Sequence, residues 1–188
     1  LGEGIPSFRR NAFIFLTSAK KVMDNIEKLG QELAQVFFRI EERRNHWHTI
    51  SRDLIATTLK ELVARFPMFD WTVDINEAWQ NMESVYVMFN YTASGIVEKT
   101  PNAIVQKMKK GGLLSFSQSR NGQVVTWVSY PYVDGITEDG PKNTVLHTAE
   151  PEEVDQDYIH RYVEKFLEEM ISWENDSREE IGFMKKHR

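Results

Sequence analysis

His46-Trp47-His48 is the first stretch of the chain whose residue types and spacing invite chemistry. Imidazoles two residues apart share one face of a strand, where they could hold a common metal ion, but they diverge on a helix. On a helix, Glu42 and His46 are four apart and face the same way, so Glu42, His46 and His48 are the candidate metal ligands. The competing reading is a polar junction at a helix end. The Glu-x-x-His spacing of dinuclear helical bundles is absent. His147, His160 and His187 fall in separate segments, and nothing in the spacing gathers them into an acid–base pair.

Other catalytic signatures are missing. The chain has no cysteine, which removes thiol nucleophiles, disulfides, Cys-ligated zinc and iron–sulfur clusters. It contains no Gly-x-Ser-x-Gly elbow, no Walker A loop, no Gly-x-Gly-x-x-Gly and no His-Glu-x-x-His. Thr92-Ala93-Ser94-Gly95 lacks the first glycine of an elbow and reads as a loop. Gly111-Gly112 reads as the stop of a helix. No cofactor is expected.

Aromatic residues form a second set of candidates. Tyr86, Phe116, Trp127 and Tyr130 fall in or beside strand-like runs and could wall a small-molecule pocket between sheet and helix. Cross-strand packing accounts for strand aromatics equally well.

The elements that must position these groups are legible from periodicity. Val22, Ile26, Leu29, Leu33, Val36 and Ile40 repeat at alternating spacings of four and three, a heptad seam set among Lys, Asp, Asn, Glu and Gln. Arg43 interrupts it, and Trp47, Ile50 and Leu54 restore it. The stripe Ile55, Leu59, Leu62, Phe66 then lies on another face. That shift favours a break near Asn45–Ser51, with Thr49 or Ser51 as cap, and a helical hairpin over a single long helix. Phe66-Pro67 ends the helical region, because a residue before proline avoids helical angles.

Trp71–Ile75 and Glu83–Tyr91 alternate as strands, the second apolar on both faces as for an interior strand. Thr100-Pro101 through Lys110-Gly111 predicts a short helix with an N-cap, a proline start, a basic last turn and a glycine stop. Leu113–Ser119 and Gln123–Tyr130 flank Asn121-Gly122, a hairpin signal. Thr144–Thr148 is another strand. From Pro151 a final amphipathic helix carries Tyr158, Ile159, Tyr162, Val163, Phe166, Leu167, Met170 and Ile171 on one side, and beyond Asn175 a tail thins out. The fold class is α+β: an N-terminal long helix or helical hairpin, a mostly antiparallel sheet of about five strands in the order ββαβββ, and a C-terminal amphipathic helix. Residues 1–66 form the helical region and 67–188 the α+β region, packed together as one structural domain. The ββαβββ order is similar to that of PAS-like sensor folds.

Composition sets the function classes. The 188 residues carry a net charge of −5, with 41% hydrophobic and 27% charged residues, so a collagen-like or wholly disordered chain is excluded. Lys and Arg against Asp and Glu number 11 and 8 in residues 1–66, 6 and 8 in 67–148, and 6 and 12 in 149–188. The two ends have opposite sign, which permits docking within or between chains, while the overall acidity argues against nucleic acid as partner. No apolar run reaches the ~20 residues of a membrane span. Ala12–Leu16 after Arg9-Arg10 is too short for a signal peptide, and a removed leader would leave no trace, so the expected compartment is cytoplasmic.

The leading expectation is a non-enzymatic regulatory or adaptor protein. It would act through protein–protein contacts and self-association along the Val22–Ile40 seam, as a homodimer or with a protein partner. The acidic last helix and tail would offer a second surface. The alternatives are a PAS-like small-molecule sensor and, below it, a metal-dependent enzyme.

Overall fold

The computed structural model describes residues 7–133, 135–136 and 141–175, with side chains from Lys20 onward. The tail beyond Asn175, including His187, and much of the turn-rich stretch before Pro141 lie outside the described residues. The chain divides into two compact units, Leu1–Glu42 and Arg43–Arg188.

Helix α1, Ser7–His46, accounts for the described part of the first unit. No proline interrupts it, and Lys28 and Glu32 form an i,i+4 ion pair at 3.8 Å on its surface. Every described side chain from 20 to 39 is exposed, the seam residues Val22 to Val36 included, and Ile40 is half-buried. Most helices in proteins owe their stability to packing of an apolar face. Here that face meets water.

Beyond His46 the backbone remains helical through one π-helical turn, Trp47–Ser51, and into α2, Arg52–Arg65. The hairpin expected near Asn45–Ser51 does not form. Both flanking residues, His46 and Ser51, keep right-handed helical angles, so the long-helix alternative holds. The π turn accommodates one extra residue, which rotates the face presented by α2 by about 100°. The apolar stripe therefore changes face without the chain reversing. Thr49, a candidate cap, donates instead to the Asn45 carbonyl at 2.8 Å. Ser51, fully buried, donates to the Pro151 carbonyl at 3.2 Å. Arg43, where the seam is interrupted, grips both Glu150 carboxylate oxygens at 2.5 and 2.6 Å.

After Phe66 a 3-10 turn, Pro67–Phe69, leads into the sheets. Among the described residues, one sheet contains β1 (Trp71–Asn76), β2 (Ser84–Phe89), β5 (Leu113–Gln118), β6 (Val124–Ser129) and β8 (Asn143–Ala149), antiparallel in that order. The other contains β3 (Thr92–Lys99), β4 (Ile104–Lys110) and β7 (Tyr132–Val133).

The short helix expected over 101–110 is strand β4, and the loop expected at Thr92–Gly95 opens strand β3. Thr100 does cap, but it caps a turn. Its Oγ1 accepts from the Ala103 N–H at 3.0 Å while its own N–H donates to the Ala103 carbonyl at 2.9 Å, which closes the β3–β4 hairpin. Ser, Thr and Asx caps serve turns and helix starts alike, so the signal was ambiguous. Without that helix the described elements from β1 to β8 are strands alone, and the ββαβββ order of the PAS-like resemblance is not present among the described residues. The Asn121-Gly122 hairpin forms between β5 and β6; Gly122 takes positive φ, at 82°, and Asn121 does not.

The last helix, α3, spans Gln156–Asn175. It is preceded by a 3-10 turn at Pro151–Glu153 closed by reciprocal Glu150 and Glu153 capping bonds, and the Asp155 carboxylate accepts from the Tyr158 N–H at 2.7 Å. α2 and α3 cover one face of the five-stranded sheet. Ile55 and Leu59 from α2 and Ile159 and Phe166 from α3 meet Val85, Val87, Leu114, Phe116, Val124 and Val128, all essentially buried. Residues 43–66, read from sequence with the N-terminal helices, thus help build the core of the second unit. No helix among the described residues is long and apolar enough to cross a membrane.

Candidate functional site

Among the described residues, two apolar surfaces are candidate sites, one in each unit, while the β3–β4 hairpin also leaves Val97, Ile104 and Val105 exposed. The first is the α1 seam, whose Leu29 and Leu33 are 54% and 53% exposed. Phe37 and Phe38 beside it are exposed at 59% and 65%, which widens the stripe.

The second surface lies along the C-terminal half of α3. A cleft of about 460 Å³ opens between Met68 and Phe69 of the 3-10 turn, Phe89 at the end of β2, Gly111 and Pro131, and Leu167, Met170 and Ile171 of α3. Lys109 crosses one end in an ion pair with Glu174 and sits 5.9 Å above the Trp173 ring. On the other side of Leu167 and Ile171 a shallower groove of about 480 Å³ runs between Leu62, Arg65 and Phe66 of α2 and His160, Glu164 and Glu168 of α3. An aromatic ladder links the two, with Phe69 and Phe89 lining the cleft and Trp71 the groove. Phe69 meets Trp71 edge-on at 5.4 Å, Trp71 stacks on Phe89 at 5.9 Å, and Phe89 stacks on Phe166 at 5.6 Å. The exposed rim is Met68, Phe69 and Ile171. Sequence reasoning missed this surface, although Phe66-Pro67-Met68-Phe69 keeps its apolar character past the helix stop.

The candidate metal ligands have other partners. His46 Nδ1 meets Ser51 Oγ at 2.9 Å, and His48 Nε2 meets Asn81 Oδ1 at 3.2 Å. Glu83, buried, accepts from the Trp47 indole N–H at 3.1 Å and lies 3.6 Å from His48 Nδ1 and 3.9 Å from the Arg52 guanidinium. Glu42 falls in the other unit. Among the described residues no group of three or more His, Asp or Glu side chains is placed to hold a metal ion. The buried carboxylate at the π turn instead ties Trp47, His48 and Arg52 to the start of β2.

The four candidate pocket aromatics are not brought together. Phe116 is fully buried within the sheet–helix interface. Tyr86 and Trp127 belong to the opposite sheet face, aligned across Ser115 by the strand register. There the Tyr86 hydroxyl donates to Asp74 at 3.3 Å, and the Trp127 indole donates to Ser117 at 2.9 Å. Tyr130 donates to Glu169 of α3 at 2.9 Å. Desolvation first, then the neighbouring carboxylate, raises the pKa of both Tyr86 and Tyr130.

One buried polar group has the look of chemistry. The Tyr158 hydroxyl lies 2.9 Å from Thr126 Oγ1 and 3.3 Å from His147 Nδ1, with Tyr162 stacked on the imidazole. Burial pushes the phenol up to about 12. A group so reluctant to ionise serves packing better than proton transfer near neutral pH.

No family model matches the chain, no curated protein matches it, and no solved structure matches its fold.

Proposed function

We propose that this chain is a non-enzymatic regulatory or adaptor protein that self-associates through the α1 seam and offers a second contact surface along α3. The observation that carries the reading is the exposure of the seam from Val22 to Val36 on a helix more than ten turns long. A heptad stripe of Ile, Leu and Val in water is unfavourable by about 25 cal/mol per Å², and a facing helix removes that cost. The α3 cleft supports the second contact, because Met68, Phe69 and Ile171 present adaptable, aromatic and aliphatic groups at its rim.

Sedimentation equilibrium of the wild type and of Leu29→Glu/Leu33→Glu tests the first contact. The wild type is expected to associate at micromolar concentration and the variant to sediment as a monomer with the second unit still folded. A wild type that stays monomeric at 100-fold higher concentration overturns the reading.

A second reading, a small-molecule sensor, draws support from the volume of the α3 cleft, which falls within the range of ligand pockets. Thermal-shift screening with apolar aromatic compounds tests it. A hit whose effect survives Met170→Glu at the cleft wall argues against this site.

A further inference from the structure

We infer that the chain's own segment 181–184, beyond the end of α3, seats in the α3 cleft and keeps it closed until a partner displaces it. The seating rests on the cleft and the sequence that follows it; the closing of a contact surface rests on the reading of α3 proposed above. Glu174 and Asn175 line the cleft, so the described chain leaves α3 at the cleft's own mouth. The walls are apolar, from Met68 and Phe69 across to Leu167 and Ile171. The sequence continues Asp176-Ser177-Arg178-Glu179-Glu180 and then Ile181-Gly182-Phe183-Met184. Asp and Ser side chains compete with helical hydrogen bonds, and Asn is a common residue at a helix end, so a change of direction after α3 costs little.

Three features select this occupant. The first is composition. Of the residues of this unit outside the described ones, Asp134 and the Thr-Glu-Asp-Gly run at 137–140 bring no apolar side chain, whereas Ile181, Phe183 and Met184 stand together in the tail. The second is reach. The six residue steps from Asn175 to Ile181 span up to about 20 Å. A cleft of about 460 Å³ lies inside that radius of Asn175, one of its own lining residues. The third is charge. Glu164 and Glu168 line the groove on the other side of Leu167 and Ile171, and both are exposed. Among the described residues neither is in an ion pair, with Arg65 across the groove or with any other cation. Lys185-Lys186-His187-Arg188 follows Met184 directly. Those four residues reach about 13 Å, so apolar side chains seated in the cleft bring the basic ones toward the two carboxylates. A segment on so short a tether competes at an effective concentration on the order of millimolar, so even weak seating keeps the cleft closed.

The absence of cysteine makes the test clean, because introduced thiols are the chain's only ones. Met68 at the cleft rim and Ile104 at the start of β4 are both 71% exposed, so neither position carries the fold. Ile104 lies about 17 Å along the strand from Lys109, away from the cleft. Dilute full chain carrying Met68→Cys/Met184→Cys is expected, on oxidation, to close an intramolecular disulfide about tenfold faster than Ile104→Cys/Met184→Cys, read as thiols lost at monomer mass. Adding Phe183→Asp to the first pair is expected to remove that advantage. Equal rates for the two pairs, or a rate that Phe183→Asp leaves unchanged, overturn the inference. The closing of the surface is read separately with the apolar dye anilinonaphthalene sulfonate. Phe183→Asp alone is expected to raise dye binding by the full chain, and Ile171→Glu in the cleft wall to cancel the rise. Selective linking without that rise leaves the seating standing and removes the α3 contact surface from the reading above.

Discussion

At the level of single residues the core holds two polar groups with measurable consequences. Gln118 is 2% exposed, and neither its amide nitrogen nor its amide oxygen has a partner among the described residues. A buried amide without hydrogen bonds costs about 1–3 kcal/mol. Gln118→Met keeps the volume and removes the polar atoms, so a gain of about 1 kcal/mol in urea-unfolding stability is expected. Tyr158 gives a pH signature. Its folded-state value of about 12 lies above the usual 10, so the folded form holds its proton after the unfolded form has lost it. The group's contribution is therefore fully present below about pH 10 and is lost as pH rises toward about 12, with a total fall of about 3 kcal/mol. Tyr158→Phe should flatten that alkaline slope in chemical-denaturation curves. The histidines show the limits of residue type as evidence. His46 and His48 flank Trp47 at the π-helical turn, and their nearest polar partners are Ser51, Asn81 and Glu83, groups that no spacing rule in the sequence places beside them.

At the level of elements, local signals worked wherever a single structure could satisfy them. The five main strands, the Asn121-Gly122 hairpin and the apolar face of α3 follow from periodicities that water imposes on a half-buried element, and the helical state of α1 from its heptad spacing. Two signals admitted two solutions. The stripe shift near residue 47 can be met by a chain reversal or by one wide helical turn, and burial of Trp47 and Ser51 favours the turn. Thr100 can open a helix or close a hairpin, and β4 gains pairing with both β3 and β7 by being extended. Gly112 shows how tightly these elements meet. Its φ is +79°, and a Cβ there would come 2.8 Å from a Phe89 ring carbon. Gly112→Ala is expected to cost at least about 2 kcal/mol and to loosen the cleft wall at Phe89, read as a lowered melting temperature.

For the whole molecule, association and folding should be linked. If α1 is stabilised by pairing, its melting temperature rises with protein concentration, whereas the second unit, with its own core, melts at a fixed temperature. Circular dichroism at about 222 nm over a roughly 100-fold concentration range should resolve the two, and Leu29→Glu/Leu33→Glu should abolish the dependence. The α+β class, the helix and strand periodicities, the cysteine-free chemistry and the heptad register were determined by sequence alone, since each depends on residue types within a few turns of one another. Tertiary structure decided what depends on distant residues. It placed Phe116 in the core and Trp127 on the other sheet face, gave Arg43 to Glu150 over a hundred residues away, and assembled the α3 cleft from separated segments. It also left the seam bare. The spacing of a seam is set within a few helical turns, but whether its side chains are buried depends on residues far away in the chain, and no periodicity encodes that.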